Sequence, residues 1–197
     1  NVCQTDVRKY LGLDTSFANL RECIVLGHEG AGVVDAVGEN VKSVVVEDRV
    51  VPIPAKWCGK CKFCISGRPE LCSDRLGIGA GVGGPERCLK LLKEEGIGGT
   101  FAEYLKIPES QVLKVPPEVS LEAATFTEPL ADVIKAQEEV NARIGDIAVI
   151  IGLGPMGLLH VQAMRIHEVS FIIGVDPIKD RREKALRYGC KVALDPS

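Results

Sequence analysis

Four cysteines lie within a 15-residue stretch at a spacing typical of a metal site: Cys58, Cys61, Cys64 and Cys72. Four thiolates can complete a tetrahedral zinc site. The glycines and prolines around them indicate an irregular loop that needs a bound metal to hold it in one conformation. An iron–sulfur cluster is the alternative, because a Cys-x2-Cys-x2-Cys triplet also begins ferredoxin motifs. Those motifs continue with three residues and Cys-Pro, whereas seven residues and then Cys72-Ser73 follow here. The spacing therefore favours a closed, structural zinc site.

A dispersed set of residues near the N-terminus has the chemistry of a second metal site. Cys3, Thr5 and Asp6 open the chain, and His28 and Glu29 follow 25 residues after Cys3. Thiolate, imidazole and carboxylate groups are zinc ligands, and three ligands leave a position open for water or substrate. A single histidine is more often a hydrogen-bonded core residue, so only the combination indicates a site.

The Gly-x-Gly-x-x-Gly pattern of dinucleotide-binding loops occurs in the run Gly152-Leu153-Gly154-Pro155-Met156-Gly157. The run lies between an apolar segment and a helical pattern. There the first glycine allows a tight turn, the second lets the backbone approach a pyrophosphate, and the third allows close packing of the helix. The helix N-terminus supplies N–H groups for the anion. A merely glycine-rich turn is the alternative, and the strand-and-helix context argues against it.

Asp176 ends the next predicted strand and is the candidate ligand of the adenosine ribose. A carboxylate at this position accepts hydrogen bonds from a ribose 2′-OH and repels a 2′-phosphate, so NAD is favoured over NADP. Lys179, Arg181 and Arg182 follow on the next predicted helix. A solvated helix face is the simpler interpretation of these cations, and Arg181 is the one counted among the candidate cofactor contacts.

The composition is that of an ordinary globular protein. The 197 residues include 24 Lys and Arg and 27 Asp and Glu, a net charge of −3. Hydrophobic residues at 46% and charged residues at 26% exclude a disordered chain, a collagen-like repeat and a coiled coil. The acidic balance argues against nucleic acid, and no apolar run approaches the ~20 residues of a membrane span. With no secretory signal at the N-terminus, we expect a cytoplasmic protein whose clustered cysteines bind metal.

Two domains are predicted from a change of periodicity near Pro116-Pro117. Residues 1–117 contain short apolar runs between Gly and Pro, which predict a small β-barrel or sandwich with strands at 30–38, from Asp48, and at 101–107. Residues 118–197 alternate helical patterns with continuous apolar runs at 147–151 and 171–176. Such runs predict parallel strands buried on both faces, in an open α/β sheet.

The motifs, taken in chain order, resemble those of the zinc-containing medium-chain dehydrogenase/reductase family over nearly the whole chain. They are Cys3-x-Thr5-Asp6, Gly27-His28-Glu29-x-x-Gly32, the four-cysteine lobe, Gly99-x-Phe101-Ala102-Glu103-Tyr104 and Glu128-Pro129-Leu130. The resemblance implies a mixed fold, with a GroES-like β-barrel catalytic domain and an α/β Rossmann nucleotide-binding domain. It implies oxidation of alcohols, or reduction of carbonyls, by hydride transfer to or from a nicotinamide.

The resemblance also implies roles for individual residues. Cys3 and His28 are the expected ligands of a catalytic zinc, with Glu29 and Glu128 as alternative carboxylate ligands. Asp6 would orient His28 through its far ring nitrogen. Thr5 would hydrogen-bond the substrate hydroxyl and begin a proton relay.

Two departures from the family pattern bear on activity. Many members have His where this chain has Arg8, and an arginine stays protonated, so it cannot act as a base. The relay then ends in water or another group, or Arg8 contacts an anion of substrate or cofactor. The family also has a strand-rich segment before the catalytic cysteine and a second βαβ half after the first, so we expect this chain to be a fragment with both domains incomplete.

The sequence thus predicts two zinc ions, one catalytic and one structural, with NAD as the nicotinamide cofactor. The Glu-Pro-Leu motif resembles the polyol, glucose and threonine dehydrogenase branches. The expected substrate is therefore a small alcohol or carbonyl compound, namely a polyol, a sugar, a threonine-like or a secondary alcohol. A homodimer or homotetramer is expected, with neither nucleic acid nor membrane as a partner. The alternatives are a non-catalytic NAD-binding module and an iron–sulfur electron carrier.

Overall fold

The computed structural model describes residues 1–14, 24–79 and 85–197, and these form two compact units, Asn1–Glu128 and Pro129–Ser197. The predicted boundary after Pro117 assigned residues 118–128 to the second domain, whereas they pack with the first unit. The structure therefore divides the chain after the candidate ligand Glu128.

Short strands in two antiparallel sheets make up the sheet structure of the first unit. A three-stranded sheet has the order β1 (Gly32–Val33), β2 (Arg49–Pro52) and β5 (Val112–Lys114), and a two-stranded sheet pairs β3 (Ala55–Lys56) with β4 (Leu76–Gly77). The helices are α1 (Gln4–Tyr10), α2 (Lys62–Ile65), α3 (Pro85–Lys90) and α4 (Leu121–Ala124). Short helical turns lie at Pro69–Leu71, Leu91–Glu95 and Glu109–Gln111.

Two of the predicted strands in this unit are wrong in whole or in part. Within 30–38 only Gly32–Val33 is a strand, because the next backbone bonds join Val34 to the turn at Glu47 and Asp48. No strand forms over 101–107. Among the bonds between described residues, only that of the first residue, Phe101, crosses to another segment, where its N–H donates to Leu26; the Phe101 and Tyr104 side chains are exposed. A segment with alternating apolar and polar residues buries its apolar side chains only where another layer of the protein packs on that face.

A parallel sheet with helices on its connections forms the second unit. The strands have the order β6 (Ile147–Ile151), β7 (Phe171–Val175) and β8 (Val192–Leu194), and all pairings are parallel. The helices are α6 (Pro155–Ile166), α7 (Lys179–Tyr188) and α5 (Thr127–Val140), whose first two residues belong to the first unit. The predicted strand–helix–strand order is confirmed. None of the described helices is both long and apolar enough to cross a bilayer.

The core of this unit lies on one side of the sheet. Its fully buried members include Leu153, Val161, Ile172 and Ala185, which come from the glycine-rich loop, α6, β7 and α7. The opposite face of β6 is open, since Ile147, Val149 and Ile151 are 69%, 57% and 84% exposed. The expectation that β6 is buried on both faces is therefore wrong for the described residues. The reason is that α6 and α7 pack on the face that carries Ala148 and Ile150.

Candidate metal and cofactor sites

The four clustered cysteines converge on one point around α2. Their Sγ atoms all lie within 4.8 Å of one another. The Sγ of Cys64 is 3.5 Å from that of Cys61 and 3.9 Å from that of Cys58. Zinc–sulfur bonds of about 2.3 Å at tetrahedral angles separate sulfur atoms by about 3.8 Å. The spacing of the sulfurs therefore fits a four-thiolate zinc site.

Backbone groups of the same loop already point at these sulfurs. The N–H of Cys58 donates to Cys72 Sγ at 3.4 Å, and the N–H of Cys61 donates to Cys58 Sγ at 3.3 Å. Backbone donation from Lys60 and Cys61 lowers the pKa of the Cys58 thiol to about 7. Desolvation and the adjacent Cys61 thiol raise the pKa of Cys64 to about 12. The Cys64 thiol therefore becomes a thiolate at neutral pH only when a cation compensates its charge.

The second predicted ligand set also comes together, although its members are far apart in sequence. Cys3 is the N-cap of α1, and His28 and Glu29 lie on the extended segment before β1. Ligand atoms of these three residues lie within 4.8 Å of one another, and His28 and Glu29 are buried. A thiol, an imidazole and a carboxyl group at this spacing fit three ligands of a four-coordinate zinc.

Asp6 connects the two segments that carry these ligands. Its side chain is 2% exposed, and its two oxygens accept the N–H of Cys3 at 3.3 Å and the N–H of Gly27 at 3.1 Å. The link to Cys3 is half of a capping box, in which an acidic residue at the third helical position reaches back to the N-cap. Sequence reasoning missed this bridging role, although an acidic residue three positions after the N-cap is its signal.

The predicted contact between Asp6 and His28 is close but long for a hydrogen bond. Asp6 Oδ2 lies 3.6 Å from His28 Nδ1, which is buried and has no hydrogen-bond partner among the described residues. A proton on Nδ1 faces the carboxylate and leaves Nε2 as the lone-pair donor. A small inward movement of the ring toward Asp6 would complete that bond, which is the usual arrangement of a metal-binding histidine.

Of the other residues predicted for this site, one adjoins the cluster and two lie outside it. The Thr5 hydroxyl lies 3.5 Å from Cys3 Sγ, so it adjoins the ligand set. Glu128, in the first turn of α5, is outside the three-residue cluster, which contains Glu29 as its carboxylate. Arg8 is exposed on α1, and its side chain makes no hydrogen bond or ion pair with residues of the described ranges.

In the second unit, the glycine-rich loop has the geometry that its pattern predicts. Gly152 follows β6 with φ +90°, and Gly154 is the N-cap of α6, which begins with Pro155. A Cβ on Gly157 would lie 1.9 Å from the Gly152 carbonyl oxygen, so only glycine allows α6 to approach the loop this closely. The N-terminus of α6 is therefore available to an anion, with Met156 exposed in its first turn.

Asp176 is bonded to that loop. The side chain is 2% exposed, and Oδ2 accepts the Leu153 N–H at 2.8 Å while Oδ1 accepts the Ile178 N–H at 2.8 Å. These backbone donors, from Ile178 first and Leu153 second, lower the pKa of the carboxyl group. Sequence reasoning assigned Asp176 to the ribose and missed that it also ties the glycine-rich loop to the end of β7.

Two arginines of α7 contact Asp176, one at its carboxylate and one at its backbone carbonyl oxygen. Arg181 Nη1 is 3.5 Å from Asp176 Oδ2 and 3.9 Å from where a Cβ on Gly154 would lie, so this cation lies against the glycine-rich loop. Arg182 donates to the Asp176 carbonyl oxygen at 2.7 Å and pairs with Asp195 at 2.8 Å. Arg181 therefore lies beside the glycine-rich loop, whereas Arg182 links Asp176 to Asp195.

Comparison with known proteins places these sites in a family. The alcohol dehydrogenase GroES-like domain matches residues 1–117. An L-threonine 3-dehydrogenase from Francisella philomiragia is 33% identical over 100% of this chain and 51% of its own length. A sorbitol dehydrogenase from Bombyx mori is 31% identical over 98% of this chain and 51% of its own length. The chain thus spans about half the length of the curated relatives it matches.

Solved structures agree with the sequence relatives. A short chain alcohol dehydrogenase from E. coli CFT073, solved with NADH, has a TM-score of 0.84 and 30% identity, covering 100% of this chain and 52% of that one. A zinc-binding dehydrogenase from Sinorhizobium meliloti 1021, solved with NADP, has a TM-score of 0.83 and 28% identity, covering 99% and 52%. The fold combines a GroES-like domain with a Rossmann-type domain, and the chain belongs to the zinc-containing medium-chain dehydrogenase/reductase family.

Proposed function

We propose that this protein is a zinc-dependent dehydrogenase that transfers hydride between an alcohol and a nicotinamide cofactor. The observation that carries the proposal is the cluster of Cys3, His28 and Glu29, whose ligand atoms lie within 4.8 Å of one another beside the Thr5 hydroxyl. Three protein ligands leave a fourth position for substrate, which distinguishes this set from the closed four-cysteine set.

The groups of the chain have separable tasks in this reaction. When bound at the open site, zinc supplies Lewis acidity that favours the ionised form of an alcohol. The Thr5 hydroxyl would accept the proton of the substrate hydroxyl while releasing its own proton to solvent, to which Thr5 is exposed. Asp6 keeps both ligand segments in place through the N–H groups of Cys3 and Gly27. The cysteine lobe of Cys58 to Cys72 holds a second zinc that has no part in the reaction.

We propose NAD as the preferred cofactor. The carboxylate of Asp176 lies at the carboxyl end of β7, beside the glycine-rich loop, and its lowered pKa keeps it anionic. A negative charge there disfavours a 2′-phosphate. The Arg181 guanidinium, 3.5 Å away, offsets part of that charge, so the preference for NAD is expected to be moderate.

The class of substrate is proposed from the activities of the relatives. We propose a small polyol, sugar, threonine-like or secondary alcohol as substrate, because the relatives include threonine and sorbitol dehydrogenases. A homodimer or homotetramer and a cytoplasmic location stay predictions.

Metal content per chain, measured by elemental analysis of protein purified without added metal, tests the proposal. We expect two zinc ions in the unmodified protein and one in Cys3→Ser. The unmodified protein should reduce NAD with sorbitol, threonine or a secondary alcohol, and Cys3→Ser should lower kcat at least about 100-fold, because the open site is lost.

Other results would contradict specific parts of the proposal. One zinc in both proteins, with NAD binding intact, would indicate a non-catalytic NAD-binding module. Iron with absorbance near 400 nm would indicate an iron–sulfur carrier, the alternative for the cysteines from Cys58 to Cys72. Two zinc ions without turnover of any of these alcohols would contradict the proposed substrate class.

A further inference from the structure

A basic cavity lies at the end of the parallel sheet opposite the glycine-rich loop. It has a volume of about 380 Å³, within the range of small-molecule sites. Its lining includes Arg165 from the last turn of α6, Arg187 from the last turn of α7, and Lys191 and Ser170, which directly precede β8 and β7. Because the strands are parallel, this is the amino end of the sheet, and the cavity is separate from the candidate cofactor site.

The charged residues that line the cavity all have the same sign. Three of its lining residues are cations and none is acidic. The nearest acidic side chain in the chain order is Glu168, in the turn after α6, and it does not line the cavity. Basic residues at helix C-termini often only compensate the helix dipole. Whether the cations of the cavity do so depends on which groups bond the last carbonyl groups of α6 and α7.

Many of those carbonyl groups are already bonded elsewhere. At the end of α6 the carbonyls of Ala163, Met164 and Arg165 accept the N–H groups of the following turn. At the end of α7 the carbonyls of Ala185 and Leu186 accept the N–H of Gly189. These carbonyl groups accept backbone N–H groups, and none of them accepts a hydrogen bond from the Arg187 or Lys191 side chain.

One wall of the cavity is held by packing. Arg165 lies across the end of α7 and donates from Nη1 to the Tyr188 carbonyl oxygen at 3.0 Å. A Cβ on Gly189, which has φ +129°, would lie 2.0 Å from Arg165 Cδ, so glycine is what allows this arrangement. Ser170 is placed by its N–H, which donates to the Asp146 carbonyl oxygen at 3.0 Å. Within the described part of the chain, the Arg187 and Lys191 side chains make no hydrogen bond or ion pair.

We propose that this cavity binds a phosphate dianion, either the free ion or a small phosphate monoester. Two unpaired cations, a guanidinium held in place and a hydroxyl group supply the donors that phosphate oxygens accept. The apolar side chains of Val169 and Ile172 complete the lining. The proposal does not depend on the dehydrogenase activity.

Calorimetric titration with inorganic phosphate and, separately, with glycerol 3-phosphate tests the proposal at constant ionic strength in chloride buffer. Saturable binding is expected, and Arg187→Gln and Lys191→Gln should each weaken it about three- to tenfold, because each removes one charge-assisted donor. Lys184→Gln removes the same charge from an exposed position of α7 outside the cavity and should leave the affinity unchanged. Tighter binding of glycerol 3-phosphate would identify a phosphate monoester as the ligand. Tighter binding of inorganic phosphate would identify the free ion.

Two results would overturn the proposal. Binding that does not saturate, or that Lys184→Gln weakens as much as Lys191→Gln, would show only non-specific attraction to the helix. Saturable binding unaffected by both cavity variants would place the phosphate at another site, such as the N-terminus of α6. Circular dichroism of each variant separates these outcomes from a loss of folding.

Discussion

At the residue scale, two carboxylates compete for one ligand position. Glu29 is buried and shares the cluster with Cys3 and His28, whereas Glu128 is half-buried in the first turn of α5 and outside the cluster. Because a ligand atom must bond directly to zinc, the geometry favours Glu29 as the carboxylate ligand.

Glu29→Gln and Glu128→Gln form a matched pair that tests this assignment. We expect the zinc content to fall from two ions per chain to one in Glu29→Gln and to remain at two in Glu128→Gln, because a neutral amide is a poor zinc ligand. Elemental analysis after dialysis gives the count. The reverse pattern would assign the ligand to Glu128 and require a change of structure around α5.

Arg8 is the second residue whose role can be decided by substitution. It is exposed, carries a permanent charge, and lies one helical turn after Thr5, so both project from the same side of α1. We expect Arg8→Ala to raise the KM of the cofactor or of an anionic substrate about three- to tenfold, with a smaller change in kcat. Lys184→Ala is the control, because it removes one charge from an exposed position of α7 in the second unit. Unchanged KM values for both reactants would refute an anion contact.

At the element scale, the end of β7 and the start of α7 together determine cofactor preference. Asp176 carries the negative charge, and Arg181 offsets it at 3.5 Å. In Arg181→Gln the carboxylate is no longer compensated, so we expect the KM for NADP to rise about three- to tenfold and that for NAD to change less than about twofold.

Lys179→Gln is the control for this experiment, because its exposed amine pairs with Glu183 in the same helix. Neither KM should change in that variant. An equal rise for NAD and NADP in Arg181→Gln would mean that Arg181 contacts a part common to both cofactors, and the explanation of the preference would then be wrong.

The one-sided core of the second unit gives a stability prediction for its sheet. Ile172 of β7 is fully buried in the core, whereas Ile147 of β6 is mostly exposed on the opposite face. We expect Ile172→Ala to lower the free energy of unfolding by about 2–5 kcal/mol and Ile147→Ala to lower it by less than about 1 kcal/mol. Urea denaturation followed by circular dichroism measures both. Equal losses would mean that the outer face of β6 is covered in solution.

At the scale of the whole molecule, the two compact units should respond separately to loss of metal. Both candidate zinc sites lie in Asn1–Glu128, and the second unit contains neither. Strong chelation should therefore accelerate hydrogen exchange in residues 58–72, where the sulfurs need a cation, and leave β6, β7 and β8 protected. Mass spectrometry of peptides measures both. Loss of protection in both units at once would show that they unfold as one.

Much of the architecture could be predicted because its signals are local. Ser120 precedes α4, and its Oγ accepts the Ala123 N–H at 3.1 Å, a capping bond between residues that are close in the sequence. The β6–α6–β7 unit followed from two apolar runs around a glycine pattern. By contrast, the strand predicted at 101–107 and the two-sided burial of β6 were wrong, because periodicity reports a preferred face and not the presence of a covering layer.

The sequence by itself determined the ligand sets and loops whose members are close in the chain. Cys58 to Cys72 and Gly152 to Gly157 are short segments, and local geometry limits how they can fold. The tertiary structure alone decided which distant groups meet: Asp6 with Gly27 over 21 positions, Asp176 with Leu153 over 23, and Arg165 with the end of α7. These pairings depend on how helices and strands pack, and residue types and spacings do not specify which backbone group a buried carboxylate or guanidinium will reach.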